Sequence, residues 1–408
     1  MNLRKNILNL FVSNSVSYLI PLLQFPYLTR VLGIEEFGLF VFSYSIMLFL
    51  MIITNYGFEL YLPKEIIEKN SSKKEINEIF TQTVLIRVGL FILSLFILFI
   101  VYFYTDYYKD RENILFILTI AVFFNSFTIL WVYQVKEMIY LFSRITVIIR
   151  FVSLAFVFLF VNTKNDLDIL IFILAITNAV ILFITYYIAK NKFELSFGKI
   201  YVSKSIELLK NSFEYFISRL GVSVYATLGG FVIGAFSGSL KQVAYYGVAH
   251  QLYTAGLFAM SSISTPLLPY MTRTKNYKLF FKIVLIALFL TICGSFVGYY
   301  FGEEILVLIY GSEMIDAKSV LNIFMITIIL SVIGVMFGYP ALVPLGKSRV
   351  ANLSVIYAGI AQLIMICVLY VFKLPFTAVS IAITYFFCDL VMSSYRGYVF
   401  AKTYRNAK

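Results

Sequence analysis

Twelve apolar runs, most of them about 20 residues or longer and split by short polar turns, fill this 408-residue chain. A helix rises 1.5 Å per residue, so a run of about 20 apolar residues matches the roughly 30 Å hydrocarbon layer of a bilayer. The expected spans are 7–32, 36–62, 80–104, 113–134, 140–161, 167–189, 211–236, 241–268, 279–302, 318–343, 349–372 and 375–401. Composition agrees: 61% of residues are hydrophobic and 13% charged, with a mean hydropathy of +0.89. Soluble domains carry about 25% charge. The expected class is an all-α polytopic membrane protein. The basic start Arg4-Lys5 leads into an apolar run with no A-x-A-like cleavage site, so the first run is kept as a spanning helix.

Loop charge orients these spans. With the N-terminus in the cytoplasm, Lys and Arg in the alternate connections number 23 on the cytoplasmic side and 7 on the other. Positive charge concentrates on cytoplasmic loops, so both termini are expected inside, and the net charge of +12 reads as topology and excludes a nucleic-acid partner. The longest linker carries Lys190, Lys192, Lys199, Lys204 and Lys210 and divides six spans from six. Expected domains are residues 1–190, a basic cytoplasmic linker 191–210, and residues 211–408.

The halves resemble each other. Asn6, Asn9, Ser13, Ser17 and Pro21 share one helical face, and 206 residues later Ser212, Tyr215, Arg219, Ser223 and Thr227 do the same. The offset holds through Leu62-Pro63 and Leu268-Pro269, then drifts to about 209, where Tyr133–Glu137 meets Leu342–Gly346. Six spans separate the copies, so the repeat is parallel, about an axis along the membrane normal. Alternating-access transporters use this plan, with a cavity between the bundles.

Ionisable groups inside spans cost roughly 2.5–3.5 kcal/mol each on insertion scales, so each requires a reason. Arg219 lies on the Ser212/Tyr215/Ser223/Thr227 stripe, Arg150 on a stripe with Ser143, Thr146 and Ser153, and Arg87 on a face with Thr83 and Ser94. Asp389 shares a face with Tyr385, Ser393 and Arg396, and His250 is the only histidine. Structural readings stand beside functional ones: Asp389 can neutralise an arginine, and Arg87 and Arg396 can snorkel to the basic side. Three span arginines against one deep acid still make the interior cationic. Guanidinium is the fork that fits phosphate oxygens. Breaks are expected at Pro21 and Pro26, at Gly221, Gly229, Gly230 and Gly234, and at Gly334, Gly338 and Pro340, either as movable parts or as helix contacts.

Several classes are excluded. There is no G-x-x-x-x-G-K-[ST] motif for a nucleotide motor, no Ser/His/Asp set and no His/Cys metal cluster, so no catalytic residue, metal or cofactor is expected. Cys293, Cys367 and Cys388 are expected as small packed residues. A sugar polymerase would display a large outer loop, whereas the longest here, near 104–113 and 302–318, are short. Glu303, Glu304, Glu313 and Asp316 are expected as exposed loop charge.

The segment Leu28–Phe40 is similar to the T-R-x-L-G-x-x-x-[FY]-G motif joining the first two helices of Wzx-type polysaccharide flippases, with Thr29, Arg30, Leu32, Gly33, Phe37 and Gly38 in place. Trp131-Val132-Tyr133-Gln134 with Lys136-Glu137 resembles their W-[FY]-[FY]-Q-G-x-E segment, although Val132 replaces an aromatic and Val135 the glycine. Asn55-Tyr56-Gly57-Phe58 resembles the end of their second helix. The resemblance implies the multidrug/oligosaccharidyl-lipid/polysaccharide exporter fold, two six-helix lobes around a central cavity. It implies transfer of oligosaccharide on undecaprenyl diphosphate between leaflets of the bacterial inner membrane, for O-antigen or capsule, with a polymerase and a chain-length regulator as further partners. On this reading Arg219, Arg150 and Arg87 hold the diphosphate, and Arg30 is the one charged candidate within a matching motif. Ser13, Ser17 and Ser223 face the glycan, membrane lipid surrounds the tail, and Asp389 or His250 carries a coupling proton. The rivals are a drug or metabolite exporter of the same superfamily, a membrane sugar polymerase, and a non-transporting scaffold.

Overall fold

The computed structural model describes the backbone of residues 3–407 and the side chains of 19–406 apart from 222, 225 and 226. The chain is helical throughout. Helix α1 (Leu3–Asn55) bends at Gly33, whose φ of 73° and ψ of 173° interrupt it, so its two arms serve as the first two spans. It is followed by α2 (Phe58–Glu68), α3 (Lys73–Tyr104), α4 (Glu112–Ser126), α5 (Leu130–Val135), α6 (Ile139–Phe160) and α7 (Leu167–Phe193). The second half comprises α8 (Val202–Phe236), α9 (Leu240–Thr274), α10 (Tyr277–Tyr300), α11 (Gly302–Tyr310), α12 (Lys318–Met336), α13 (Tyr339–Leu342), α14 (Ser348–Val371) and α15 (Ala378–Ala407). Nine helical stretches among the described residues are long and apolar enough to cross a membrane. The first of them, Leu19–Glu68, has 50 residues, enough for two crossings. With the 35-residue α8 and α9, each of the twelve expected spans has a helical counterpart. This is a multi-pass membrane protein.

Local chemistry sets the ends. Ser72 and Glu75 form a capping box at the start of α3, the Ser72 N–H donating to the Glu75 carboxylate at 2.6 Å and the Glu75 N–H to the Ser72 hydroxyl at 3.3 Å. Between α6 and α7 the Asp166 carboxylate accepts from the Asn162 and Thr163 N–H groups at 2.8 and 2.7 Å, which holds it below the usual carboxylate range.

Turn positions keep the repeat register. Gly33 and Gly238, 205 residues apart and so within one residue of the offset, both take positive φ, 73° and 68°, at the first hairpin of each half. Helices α4 and α12 start at Glu112 and Lys318, 206 residues apart, and α6 and α14 at Ile139 and Ser348, 209 apart. Glu137 (φ 53°) and Gly346 (φ 71°) close the corresponding turns.

Several breaks differ from expectation. α1 runs through Pro21 and Pro26, and α8 remains helical through Gly221, Gly229 and Gly234. Helix α8 also begins at Val202, so only residues 194–201 of the expected linker are non-helical. The expected interruption at Gly338 and Pro340 does occur, between α12 and α13. A matching one between α4 and α5 has no proline or glycine to announce it.

Two compact units make up the chain: residues 1–20 with 43–220, and residues 21–42 with 221–408. The core of the first unit gathers Phe58, Phe80, Trp131 and Tyr133, with Tyr56 stacked on Phe216 at 4.6 Å. The second packs Phe280, Met336, Leu342 and Phe400. In that unit glycines let helices approach. A Cβ on Gly38 would lie 2.2 Å from the Leu240 carbonyl oxygen, and one on Gly234 2.1 Å from the Phe42 ring.

Gly38→Ala should therefore cost about 1–3 kcal/mol, since backbone must move to admit the methyl. Gly294→Ala, where a Cβ meets nothing within 4 Å, should be neutral or mildly stabilising. Thermal unfolding of the two variants in detergent checks the difference; equal midpoints would contradict it.

Candidate functional site

In the second unit, α9, α12 and α15 bring Tyr246, His250, Tyr253, Phe324, Ser331, Tyr385 and Asp389 together. Asp389 is fully buried. Its Oδ2 accepts from the Ser331 hydroxyl and lies 3.2 Å from the Tyr253 hydroxyl. Tyr253 is also 2.8 Å from Ser331 and 3.4 Å from the Tyr385 hydroxyl. Ser331 and Tyr253 each have one hydroxyl proton, so with both donated to the carboxylate neither has a second for the other or for Tyr385. Asp389 Oδ1 has no hydrogen-bond partner. The His250 ring stacks on Tyr246 at 5.5 Å and meets Tyr253 and Tyr385 at 5.8 Å each. Thus the two residues expected as ion carriers, 139 positions apart, share one aromatic cluster. A buried carboxyl oxygen without a donor, behind a wall of hydroxyls, is chemically an open position for a proton or a small cation.

Arg396 lies two helical turns beyond Asp389, buried. Its Nε donates to Ser354 Oγ at 2.7 Å, and its two terminal nitrogens donate to the Gly334 and Ala351 carbonyls at 2.7 and 3.0 Å. Snorkelling does not occur. The arginine instead serves carbonyls beside the α12–α13 break. Gly338 makes room, since a Cβ there would lie 2.8 Å from the guanidinium.

The first unit repeats the device from another helix. Arg87 on α3 is 2% exposed, donates to the Thr128 carbonyl in the α4–α5 break, and lies over the Phe58 ring at 5.7 Å. Its Nε and one terminal nitrogen have no partner. The Trp131/Tyr133 segment follows, with both rings fully buried and the Tyr133 hydroxyl donating to the Thr185 carbonyl at 2.6 Å.

The remaining candidates are dispersed. Arg219 is exposed on α8 and Arg150 half-buried on α6. Ser223, also on α8, falls within the second unit. Ser13 and Ser17 lie outside the described side chains. Arg30, in the T-R-x-L-G motif, donates to the Leu308 carbonyl at the end of α11. Close by, Glu313 accepts from the Ile34 N–H at 2.9 Å, capping the helix that restarts after Gly33, and Asp316 accepts from Tyr245 at 3.0 Å. Both acids are exposed, as expected, and are hydrogen-bonded within the turn. Of the cysteines, only Cys388 is buried, its thiol 3.0 Å from Gln362 Oε1; Cys293 and Cys367 are exposed.

A family model described as "Polysaccharide biosynthesis protein" matches residues 3–275, about two-thirds of the chain. The chain belongs to this family. Two relatives named "Putative O-antigen transporter" align with it. One, from Escherichia coli (strain K12), is 29% identical over 78% of this chain and 76% of its own length. The other, from Shigella dysenteriae, is 24% identical over 89% and 91%. Among solved structures, lipid II flippase MurJ in an inward closed conformation superposes with a TM-score of 0.75 at 14% identity, over 96% of this chain and 87% of that one. An inward-facing multidrug resistance MATE family transporter of the MOP superfamily gives 0.66 at 13% identity, over 95% and 96%. This polysaccharide biosynthesis protein therefore has the two-lobe helical fold of those transporters.

The carboxyl network makes a double-mutant prediction. Tyr253→Phe removes a donor to Asp389 and should cost about 1–3 kcal/mol. Adding Asp389→Leu should recover much of that loss, because the acceptor is gone too. Unfolding midpoints of the two single variants and the pair in detergent measure the coupling; strict additivity would refute it.

Proposed function

We propose that the protein is a flippase moving undecaprenyl-diphosphate-linked oligosaccharide repeat units from the inner to the outer leaflet of the bacterial inner membrane, for O-antigen or capsular polysaccharide. It works by alternating access, without catalysis, and with both termini in the cytoplasm. The observation that carries the reading is the family match across two-thirds of the chain, joined by relatives named for O-antigen transport that align over most of their length. The flippase-type fold supports it, as does the excess of span arginines over acids for a diphosphate. Arg219 and Arg150 are the anion-holding candidates, with Ser223, Ser13 and Ser17 towards the sugar. Asp389, beside His250, is the candidate for taking up the coupling proton. Arg87 and Arg30 act on the helices: one supports the α4–α5 break, the other latches the tip of the first hairpin. A polymerase and a chain-length regulator consume the product outside.

A deletion strain should accumulate complete repeat units on the inner leaflet and lose surface glycan. Wild type should restore both, and Arg219→Ala should lower display at least about tenfold at equal membrane abundance, as loss of a charged hydrogen-bond donor implies. Units that reach the outer leaflet without lengthening would point to a polymerase, and normal display with altered drug tolerance to an exporter.

The hairpin tip provides a second test. Residues 21–42 and their partners Leu308 and Glu313 all belong to the second unit, and the hairpin is proposed to move against the rest of that unit, releasing its Arg30–Leu308 and Ile34–Glu313 contacts. A cysteine pair made by Ile34→Cys and Glu313→Cys, in a chain otherwise freed of cysteine, should block glycan display when oxidised and restore it on reduction. Full display with the bridge closed would show that these contacts never open.

A further inference from the structure

Between α7 and α8 the chain forms a strap whose polarity is the inverse of a soluble loop. Its polar groups face inward, along one side of α3. The Asn77 amide donates to the Ser196 hydroxyl at 2.8 Å and accepts from the Ser196 N–H at 3.2 Å. The Gly198 N–H donates to the Thr81 hydroxyl at 2.7 Å, and Gln82 donates to the Lys199 carbonyl at 2.9 Å while accepting from Ser205 at 2.6 Å. Lys204 pairs with Glu78 at 2.6 Å. The contact is close: a Cβ on Gly198 would sit 3.0 Å from the Glu78 backbone.

The outward side is apolar. Phe197, Ile200, Val202 and Ile206 are 63%, 61%, 65% and 49% exposed. Exposed lysines at 190, 192, 199 and 210 outnumber the exposed acids of the same stretch, Glu194 and Glu207, and Glu194 is paired with Lys73. Single exposed apolar residues are ordinary, but four within ten positions, opposite a fully used polar side, need a medium to cover them. The strap leaves α7 just after its last-turn lysines, Lys190 and Lys192, and re-enters the spanning helix α8 at Val202. Its near end is thus at the edge of the span 167–189, and its seat on Asn77, Thr81 and Gln82 is where the span 80–104 begins, so the strap lies at the boundary of the bilayer. Apolar side chains ringed by lysines at that depth match the headgroup region of a leaflet carrying anionic lipid.

We propose that the strap is a lipid-contact surface, with Phe197, Ile200, Val202 and Ile206 entering the headgroup region and the flanking lysines selecting anionic phospholipid. Only the identity of the leaflet, the inner one, rests on the orientation given above. The strap is then a fixed contact of the first unit with the membrane surface, pinned to α3 from within and to lipid from without.

The test uses the full chain with Val202→Cys as the sole reactive thiol, after Cys293→Ser and Cys367→Ser, labelled with an environment-sensitive fluorophore. It is reconstituted in vesicles of equal phosphatidylcholine and phosphatidylglycerol in which one or the other lipid carries a headgroup-level nitroxide. Nitroxide phosphatidylglycerol should quench about twice as strongly as nitroxide phosphatidylcholine, and Lys192→Gln with Lys199→Gln should abolish the preference while quenching persists. Water-exposed emission without quenching would overturn the lipid contact and leave the strap to a protein partner. Equal quenching by both lipids in the parent chain would overturn the anionic selection. Membrane-impermeant reductant applied to sealed vesicles of known orientation reports the leaflet separately. An outer-leaflet answer would thus undo the topology without touching the contact.

Discussion

A backbone that leaves its helix inside hydrocarbon must find donors and acceptors in protein, because no water is there to supply them. Two buried arginines meet that demand. Arg87 donates into the α4–α5 break at Thr128, and Arg396 into the α12–α13 break at Gly334, with Ala351 beside it. The breaks are equivalent by the repeat, with α5 and α13 starting 209 residues apart, yet the arginines come from α3 and α15, which are not. The constraint is the same in each half, and each half meets it with a different helix. A guanidinium suits the task because it stays charged and presents several donors in a fixed fork, whereas a neutral side chain would satisfy one carbonyl at a time.

That use of arginine changes how the interior charge is to be counted. Sequence alone sets three span arginines against Asp389 and calls the balance a cationic cavity. Arg87 and Arg396 are committed to backbone, and Arg30 holds Leu308, so these three cannot be counted towards an anion site. The acid side changes in the opposite sense. Asp389 is not neutralised by direct pairing with Arg396, whose three nitrogens all serve neutral acceptors. It is surrounded by hydroxyls, which can pass or share a proton where an arginine would fix the charge. The buried carboxyl is thus kept apart from the guanidinium that holds helices.

Much of this was legible in the sequence, and the limits have physical causes. Span positions are set by length and hydrophobicity, so each expected run has a helical counterpart, and nine helical stretches among the described residues are long and apolar enough to cross a membrane. The second register of 209 was read from the match of Tyr133–Glu137 with Leu342–Gly346, and the turns at Glu137 and Gly346 keep it. The stripe Tyr385/Asp389/Ser393/Arg396 was readable because one helix carries it. Tyr253 and Ser331 were not, because their bonds to Asp389 cross between helices and 31 tyrosines give no reason to choose one. Pro21 and Pro26 read as breaks, yet α1 runs through them: within a bilayer the neighbours and backbone adjust around a proline. The α4–α5 break was missed for the converse reason, since its cause is a partner, Arg87, and not a local residue.

The outer hairpin and the strap between α7 and α8 show why unit boundaries do not follow span boundaries. Gly33 ends one helical arm, and Glu313 caps the next at Ile34, so the tip is built around groups supplied by residues some 280 positions later. Gly38 and Gly234 then allow backbone and ring contacts too close for any larger residue, which is how the tip comes to count with the second unit. The strap goes the other way. Gly198 lets it lie on α3, and each polar side chain along that stretch of α3 is paired with it, so the connection between the halves is fastened to the first unit up to Leu220. Each unit therefore holds a piece of chain that the order of spans would assign elsewhere. Those fastenings are internal to each unit, and their hydrogen bonds, unlike apolar packing, can be lost one at a time.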